Sequence, residues 1–511
     1  MSEKKIWLSE TKLEMATTAI IIGSIDSNIL NECRSIYKSG LLFVSSNDNI
    51  EDDPSSKFHT LNLNLNREVI LSSLSDFFLN DTTNPPEVKV SALIKKEETF
   101  LYEKFIHLVF NEIDTLLRAR KTRKETGFLR QLQIFSNLDG YLLHRIPEDW
   151  HGLGEKNLAV VVGAGPSLDI SLPLIKEGLP SPIIIATDSS LKALAKEEII
   201  PDFVISIDPE KSFEDCSECN FTPGIVILSS QSHTSWSENW QKKCFISGRV
   251  IFEDWLSEKG IGKSSVLAIN NAGLTALAFA DFLSPSAILL IGMDLSGGGD
   301  GRVRYAQSTG RSNIEIDASY FHDIPGNYNK SVPTPFFSDW QETSQACADL
   351  SKKRSIINLN DRGAILQGTN LVHPDDFVEV KKLLCENLSY FKGTNEEVWG
   401  KRRKIPGLGL SQILTVMTRI CDQTRQTLEQ APVGCNSSSV LKEILADSTT
   451  ASLLGDFAFS IMPMLTSGKV EQSFEIEREQ LKVLLWKLED GILKCNPGEE
   501  FILRFLNEKF C

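Results

Sequence analysis

The sequence predicts an α/β protein: a Rossmann-like parallel-sheet central domain, a smaller α/β N-terminal domain before it and an all-α C-terminal domain after it. Three observations indicate this class. Short apolar strands alternate with helical segments over about residues 151–375, a glycine-rich turn follows one of these strands, and strand signals stop after about residue 378. Near-continuous apolar strands between helices are typical of a parallel sheet buried on both faces.

The predicted central strands lie at regular intervals between the helical segments. They are Leu158–Val162, Ile183–Ala186, Phe203–Ile207, Gly224–Leu228, Arg249–Phe252, Ala287–Ile291 and Ile356–Asn358. Changes in pattern along the chain divide it into an N-terminal Rossmann-like domain (1–95), a helical connector (96–150), the central domain (151–375) and a helical C-terminal domain (376–511).

The composition is that of an ordinary folded protein. Its 511 residues, 41% of them hydrophobic and 24% charged, can bury several cores. The formal net charge of −15 argues against a nucleic-acid-binding surface. The first residues lack the apolar stretch of a signal peptide, no apolar run could span a bilayer, and ten cysteines are scattered along the chain. We therefore expect a cytoplasmic protein with reduced thiols, with no nucleic-acid partner and no membrane span.

The segment Val160–Asp169, VVVGAGPSLD, is the strongest single motif. Gly163 permits a tight turn after the strand, Gly165 permits close approach of a ligand, and Pro166 suits the first helical position. Ser167 adds a hydroxyl, and the free N–H groups and dipole of a helix start favour phosphate oxygens. The motif predicts the phosphate side of a nucleotide site, and the alternative is a plain strand–helix turn.

A weaker copy of this motif occurs near the N-terminus. The segment Ile20–Leu30, IIIGSIDSNIL, has the first glycine, Gly23, but lacks the second glycine and the proline. We therefore expect the N-terminal domain to be structural, without the full phosphate site.

Polar residues follow two further strands. Thr187, Asp188 and Ser189 end one strand, where Asp188 could hold a ribose hydroxyl or a metal-bound water and Ser189 could reach a phosphate or cap the next helix. Asp208 follows the next strand, with helix capping or loop structure as the alternative. Because the carboxyl ends of parallel strands meet at one edge, these groups are predicted to face one crevice.

The second half of the central domain adds further candidates. Asn271 and Gly273 precede an apolar helix, where backbone amides could bind a base or a sugar. Asp294 ends a strongly apolar strand. The following glycine-rich loop, Ser296–Gly310, carries Arg304, which predicts a lid over an anionic substrate or, alternatively, a surface loop without that role. The motifs GxxxxGK[ST], GxSxG and HExxH are absent, which argues against a P-loop NTPase, an α/β-hydrolase and a zincin protease.

Four segments together carry a family resemblance: GAGPSLD, ATDSSLKALAKEEIIPDFVISIDP, LLIGMDLS and NLNDRGAILQG. Over about residues 149–368 they resemble the motility-associated-factor family, whose central domain is shared with the archaeal 6-hydroxymethylpterin pyrophosphokinase MptE-like proteins. The flanking domains are similar to those of the flagellin-modifying members. The central domain also resembles bacterial sialyltransferases, whose corresponding turn holds CMP.

The resemblance implies a nucleotide-sugar-binding central domain and a glycosyltransferase. This enzyme would move a nonulosonic acid, of the pseudaminic or legionaminic type, from a CMP-activated donor to Ser or Thr of flagellin. Gly163, Gly165, Pro166 and Ser167 would meet the nucleotide phosphate, and Asp188, Ser189 and Asp208 would hold nucleotide or sugar hydroxyls.

The general base is where this sequence departs from the family pattern. Tyr305 stands roughly where many relatives carry a histidine, about ten residues after the GxDL motif. A tyrosine with an ordinary pKa of about 10 is a poor base at neutral pH, although it could bind phosphate. The base is then His322, a carboxylate such as Asp294, or missing in this copy.

Two alternatives to the glycosyltransferase stay open. One is an ATP-dependent pyrophosphokinase of a pterin-like small molecule. Such an enzyme needs magnesium as a cofactor, which Asp188, Asp208 and Asp294 could bind. The other is a non-catalytic factor that binds flagellin through the helical domain.

Overall fold

The computed structural model describes residues 6–10, 18–45, 58–62, 86–100, 102–103, 105–106, 126–176, 179, 181–217, 221–297, 301–314, 321–387, 407–430, 436–466 and 474–495. Residues 107–125 of the predicted helical connector (96–150) lie outside these ranges. The chain divides into two compact units, Met1–Glu125 and Thr126–Cys511, so the central sheet and the C-terminal helices belong to one unit. The finer division into four domains stays a prediction.

The first unit contains a five-stranded sheet with the order β1-β5-β2-β3-β4. Its strands are β1 (Trp7–Glu10), β2 (Thr18–Ile22), β3 (Gly40–Ser45), β4 (Phe58–Asn62) and β5 (Glu87–Ser91), and helix α1 (Ser27–Ile36) joins β2 to β3. Strands β2 to β5 pair in parallel, whereas β1 is antiparallel to β5. The parallel core agrees with the α/β class that the sequence predicts.

The turn after β2 is a packed structural turn. Gly23 has a φ of +100°, and a Cβ atom there would lie 2.5 Å from Cγ1 of Ile94. The Asp26 carboxylate caps α1 by accepting a hydrogen bond from the Asn28 N–H at 2.8 Å. The chain itself therefore fills the position beside this turn and caps the helix start.

The second unit contains an eight-stranded sheet with the order β10-β9-β8-β7-β6-β11-β14-β15. Its strands are β6 (Leu158–Val162), β7 (Ile183–Thr187), β8 (Phe203–Ser206), β9 (Ile225–Ser229), β10 (Lys243–Ile246), β11 (Ala287–Ile291), β14 (Ser355–Leu359) and β15 (Asn370–Val372). All seven neighbouring pairs are parallel. Strands β12 (His322–Ile324) and β13 (Val332–Thr334) form a separate antiparallel pair. The Rossmann-like fold class predicted from the sequence is confirmed.

One predicted strand is wrong. Arg249–Phe252 is not a strand, because helix α7 (Ile251–Glu258) begins within it and the edge strand β10 lies earlier. The buried residues of this helix, Phe252, Trp255 and Leu256, recur at helical spacing. A short apolar run alone does not distinguish a strand from a buried helix.

Helices cover both faces of the central sheet, and two hydrophobic cores lie between them and the strands. The helices are α2 (Leu138–Leu143), α3 (Leu168–Lys176), α4 (Leu191–Lys196), α5 (Phe213–Cys216), α6 (Thr234–Asn239), α7, α8 (Ala272–Leu283), α9 (Phe337–Leu350) and α10 (Phe377–Asn387). The C-terminal helices are α11 (Gly407–Gln430), α12 (Ser437–Ala446), α13 (Ser448–Leu453), α14 (Gly455–Thr466) and α15 (Glu475–Cys495). In the parts of the chain that the structure describes, no helix has the length and apolarity to cross a membrane.

Strand order reverses between β6 and β11. After β6 the chain adds β7, β8, β9 and β10 on one side, and β11 then pairs with the other side of β6. In open parallel sheets this reversal separates the loops at the carboxyl edge and creates a ligand crevice. The fold therefore points to the turns after β6 and β11.

Glu253 is a fully buried carboxyl group in the first turn of α7, which packs against α13 and α14. Burial raises its pKa from 4.5 to about 7, although Ser230 Oγ and the Gly248 N–H donate hydrogen bonds to it at 2.6 Å. Its contribution to stability is therefore fully present below about pH 4.5 and is lost as the pH rises through 7. We expect the melting temperature to fall between pH 5 and 8, and Glu253→Gln to flatten this dependence.

The matched control is Glu258→Gln, which changes an exposed carboxylate at the end of the same helix and should keep the wild-type dependence. Some slope should persist in Glu253→Gln, because burial also raises the pKa values of Asp202 and Asp294 to about 6. Equal slopes in wild type and Glu253→Gln would contradict the assignment.

Candidate functional site

An open cleft lies at the carboxyl edge of the central sheet, beside the reversal of strand order. Its volume is about 710 Å³, including its mouth. Turns that follow the strands, the starts of α8 and α9, and the loop after β11 form its walls. The lining residues are Gly163, Ala164, Gly165, Thr187, Asp188, Ser189, Lys211, Asn271, Ala272, Gly273, Gly292, Met293, Asp294, Leu295, Ser296, Arg304, Tyr305, Phe336 and Asp339.

The turns after β6 and β11 lie in direct contact. The Gly163 N–H donates to the Ile291 carbonyl, and the Gly165 N–H donates to the Gly292 carbonyl, each at 2.8 Å. A Cβ atom at Gly163 would lie 2.3 Å from the Gly292 oxygen, and Gly292 itself has a φ of +63°. These glycines therefore allow one turn to pack on the other.

Asp294 closes the start of α3. Its Oδ2 accepts hydrogen bonds from the Ser167 N–H at 3.1 Å and the Ser167 hydroxyl at 2.8 Å. A Cβ atom at Gly165 would lie 2.1 Å from the same oxygen. A carboxylate thus takes the place at this helix start where the sequence predicts a phosphate, and the N–H groups of Gly165 and Ser167 are already engaged. Pro166 and Ser167 do not line the cleft.

The Asp294 carboxyl group is 2% exposed. Burial raises its pKa to about 6, and the hydrogen bonds from Ser167 oppose the shift. Its other oxygen, Oδ1, is also buried, and the Asn360 side chain lies beside this carboxyl group. The next residue, Leu295, has a φ of +50°, a strained conformation for a leucine, so the chain turns sharply at this point.

The start of α8 is open by comparison. Asn271 Oδ1 caps it by accepting from the Leu274 N–H at 2.7 Å. The N–H groups of Ala272 and Gly273, at the first two helical positions, have no acceptor within the helix, and both residues line the cleft. A Cβ atom at Gly273 would lie 2.8 Å from Met293 Sδ, so glycine keeps this wall close-packed.

Lys211 links the two carboxylates that follow β7 and β8. Its Nζ lies 3.6 Å from Asp188 Oδ1 and 3.7 Å from Asp208 Oδ2. Asp188 is 1% exposed and also accepts hydrogen bonds from the Ser189 N–H at 2.6 Å and the Ser189 hydroxyl at 3.0 Å. Thr187 and Ser189 line the cleft, whereas Asp208 acts on it through Lys211.

Lys211 was not among the residues predicted from the sequence. Burial would lower its pKa, but the charge of Asp188, followed by Tyr305 and Asp208, raises it above the ordinary value. Lys211 therefore stays an ammonium group inside the wall of the cleft. Its position three residues after Asp208, at the end of a parallel strand, was the available indication.

The described part of the loop after β11, for which the sequence predicts a lid, forms part of the cleft wall and is hydrogen-bonded to neighbouring elements. The Ala306 N–H donates to the Ala164 carbonyl at 3.0 Å. The Asp169 carboxylate accepts from the N–H groups of Gln307 at 2.8 Å and Ser308 at 3.0 Å. These bonds fasten the loop to the turn after β6 and to α3.

Arg304 lies between two aromatic rings at the mouth of the cleft. Its guanidinium carbon is 5.0 Å from the centre of the Tyr305 ring and 4.7 Å from that of Phe336. The Tyr305 side chain is buried, and the Arg311 guanidinium also lies over its ring, at 5.2 Å. Two aromatic rings therefore contact the Arg304 guanidinium group.

Asp339 is a half-buried carboxylate in the first turn of α9 that lines the cleft. Burial raises its pKa, while Asn271 and Arg304 lower it. Asp339 was not among the residues predicted from the sequence, because it lies beyond the glycine-rich loop and no local motif marks it.

Comparison with known families gives a match in the middle of the chain. Residues 133–299 match the family model described as 6-hydroxymethylpterin diphosphokinase MptE-like. This segment is similar to that family, and we refer to it as the MptE-like domain. The MptE-like part of the resemblance drawn from the sequence is thereby confirmed. A search of curated proteins found no match.

The chain is also similar in fold to the solved Maf glycosyltransferase from Magnetospirillum magneticum AMB-1. The two share 15% sequence identity with a TM-score of 0.47, and the match covers 95% of this chain and 79% of that protein.

The MptE-like domain supplies one wall of the cleft, and residues beyond it supply the other. Inside the domain lie the glycine-rich turn, Asp188, Lys211, the start of α8 and Asp294. Arg304, Tyr305, Phe336 and Asp339 follow it in sequence and complete the opposite wall. The cleft is therefore a composite of the matched segment and the chain that follows it.

His322 lies after the MptE-like domain and outside the cleft lining. It is a buried residue of β12, with its ring 5.2 Å from that of Phe337. Of the three catalytic candidates that the sequence suggested, the structure thus brings Asp294 and Tyr305 to the cleft and leaves His322 apart.

The carboxylates considered for magnesium do not form one ligand set. Asp188 and Asp208 are bridged by the Lys211 ammonium group, and Asp294 is bound to Ser167. The described residues contain no group of three or more His, Cys, Asp and Glu that could hold a metal ion. The side chains of the MptE-like domain therefore do not fit a resident magnesium ion on these three residues.

Proposed function

We propose that the protein is a glycosyltransferase that moves a nonulosonic acid, of the pseudaminic or legionaminic type, from a CMP-activated donor to Ser or Thr of flagellin. The observation that carries the proposal is the open cleft at the reversal of strand order, where amide, hydroxyl, carboxylate and cationic groups converge. The sequence resemblance to the motility-associated-factor family supports the choice of donor and acceptor.

The start of α8 is the better of the two helix starts for the nucleotide phosphate. At α3, Asp294 already accepts from Ser167, and its negative charge would repel a phosphate. At α8, the N–H groups of Ala272 and Gly273 have no helical acceptor and belong to residues that line the cleft. Two such amides and the positive end of the helix dipole favour a phosphate oxygen.

In the proposed reaction, the acceptor hydroxyl oxygen forms a bond to the anomeric carbon of the donor sugar. The bond between this carbon and the phosphate oxygen breaks, and CMP leaves with the electron pair. The proton of the hydroxyl passes to a general base. Amides at the phosphate stabilise the charge that develops on the leaving group.

Asp339 is our candidate for the general base. Its side chain is half-buried and borders the cleft, so an acceptor hydroxyl can reach it. The Asp294 oxygens are less available, because Oδ2 is bound to Ser167 and Oδ1 is buried. This leaves Asp294 as the residue that holds the turn, and Asp339 as the proton acceptor.

The cytoplasm is the compartment that we propose for the reaction. The described cysteines Cys33, Cys216, Cys244, Cys347, Cys421 and Cys495 are free thiols, of which five are buried. Free thiols of this kind are typical of proteins in a reducing compartment.

Nucleotide binding tests the proposal most directly. We expect CMP to raise the melting temperature by a few degrees, since a ligand at about 100 times its Kd stabilises the folded state by about 2.7 kcal/mol. ATP with magnesium should have a smaller effect. Thermal unfolding with each nucleotide, followed by calorimetric titration with CMP, measures this.

Two outcomes would contradict the proposal, each in favour of a different function. Stabilisation by ATP with magnesium but not by CMP would favour the pyrophosphokinase of a pterin-like molecule that the family description names. No effect of either nucleotide would favour a non-catalytic factor that binds flagellin.

A further inference from the structure

Arg304 differs from the other cation of the cleft in its surroundings. Lys211 is enclosed and shared by Asp188 and Asp208. Arg304 is exposed at the mouth, and within the described residues no hydrogen bond or ion pair engages its guanidinium nitrogens. Among the described residues that line the cleft, Arg304 is therefore the cation whose nitrogens remain open to an incoming anion.

Two aromatic rings pack against this guanidinium group and restrict its movement. Tyr305 and Phe336 lie 5.0 Å and 4.7 Å from its central carbon. Tyr305 is itself held in place, because it is 5% exposed and Arg311 covers it at 5.2 Å. A guanidinium group that packs on aromatic rings keeps its N–H donors available at its edge, which suits a two-pronged contact with a carboxylate or phosphate.

The structure suggests a role for Tyr305 other than the one that the sequence suggested. Its ring packs against the Arg304 guanidinium group, and this contact does not need the hydroxyl group. A histidine-like role in proton transfer is not required of it, since Asp339 lies in the same cleft.

We propose that Arg304, clamped between Tyr305 and Phe336, binds an oxyanion of the donor through its guanidinium edge. The inference rests on the proposed function and names the residue that recognises the donor. The oxyanion is either the phosphate of CMP or the carboxylate of the sugar acid, and both present two oxygens to a planar fork.

Calorimetric titration of the full chain with CMP and with CMP-N-acetylneuraminic acid tests this inference. Arg304→Lys keeps the charge but loses the fork, and we expect it to weaken binding about 10- to 100-fold. Equal weakening for both ligands identifies the phosphate as the oxyanion. Weakening for the sugar-linked ligand alone identifies the carboxylate.

Variants of the clamp separate a positioning role from a structural one. Phe336→Leu should weaken donor binding, and Arg304→Lys should cost less in that background than in wild type. Tyr305→Leu should also weaken binding, and Tyr305→Phe should restore it because the ring is kept. Arg302→Lys, two residues upstream and outside the cleft lining, is the matched control and should bind as wild type does.

The possible failures can be told apart. If wild type binds both ligands and Arg304→Lys binds them equally well, the inference about Arg304 is overturned while the proposed function stands. If Tyr305→Phe binds as weakly as Tyr305→Leu, the hydroxyl acts and the clamp is overturned. If wild type binds neither ligand, the proposed function fails and the inference fails with it.

Discussion

Replacing Asp339 with asparagine is expected to lower the rate of sugar transfer by about 100- to 10,000-fold while donor affinity changes little. The amide keeps the size of the side chain but accepts no proton. Because Asp339 borders the cleft and is half-buried, the substitution should leave the fold intact. Steady-state rates with CMP-N-acetylneuraminic acid and flagellin, with a parallel binding titration, measure the two effects.

The pH dependence gives this prediction its direction. Burial raises the pKa of Asp339 above its ordinary value of 3.8, although Asn271 and Arg304 oppose the shift. A general base works in its deprotonated form, so kcat/KM should fall as the pH falls through this pKa. The residual activity of Asp339→Asn should lack that fall.

Three further variants decide between Asp339 and its rivals. Asp323→Asn changes an exposed carboxylate of β12 and serves as the matched control. Asp294→Asn and His322→Gln test the bases that the sequence suggested. If either of these lost the acid limb of the profile at an unchanged melting temperature while Asp339→Asn kept it, the assignment to Asp339 would be wrong.

The sequence was sufficient to predict six of the eight strands of the central sheet and several residues of one wall of the cleft. Apolar runs indicate buried strands, and glycine and aspartate indicate the turns that follow them. Gly163, Asp188 and Asp294 could therefore be placed at one edge of the sheet. These patterns are local, and the rule that parallel strands end together brings them into one site.

The opposite wall could not be predicted in the same way. Phe336 and Asp339 reach the cleft because α9 begins there, and that depends on how the chain between β11 and β14 packs. The group that binds the free N–H groups of a helix start is also difficult to predict from the sequence. The sequence shows that α3 has free N–H groups, but the contact with Asp294, 127 residues away from Ser167, exists in the folded chain alone.

Gly165→Ala is expected to destabilise the folded state by about 2–3 kcal/mol or more, before any effect on a ligand. The new Cβ atom would lie 2.1 Å from Asp294 Oδ2 and 2.8 Å from the Gly292 carbonyl oxygen. Neither atom can withdraw easily, since Ser167 holds the carboxylate and the Gly165 N–H holds the carbonyl. Equilibrium unfolding in urea measures the loss.

A glycine in open space and a double variant make this prediction specific. Gly262→Ala is the matched control, because nothing lies within 4 Å of a Cβ atom there, and its stability should match that of wild type. In a Gly165→Ala, Asp294→Ala double variant the colliding oxygen is gone. The combined loss should then fall short of the sum of the single losses by about 0.5–3 kcal/mol. Strict additivity, or a Gly165→Ala protein that is as stable as wild type but fails to bind CMP, would mean that this glycine makes room for the ligand instead of the Asp294 carboxylate.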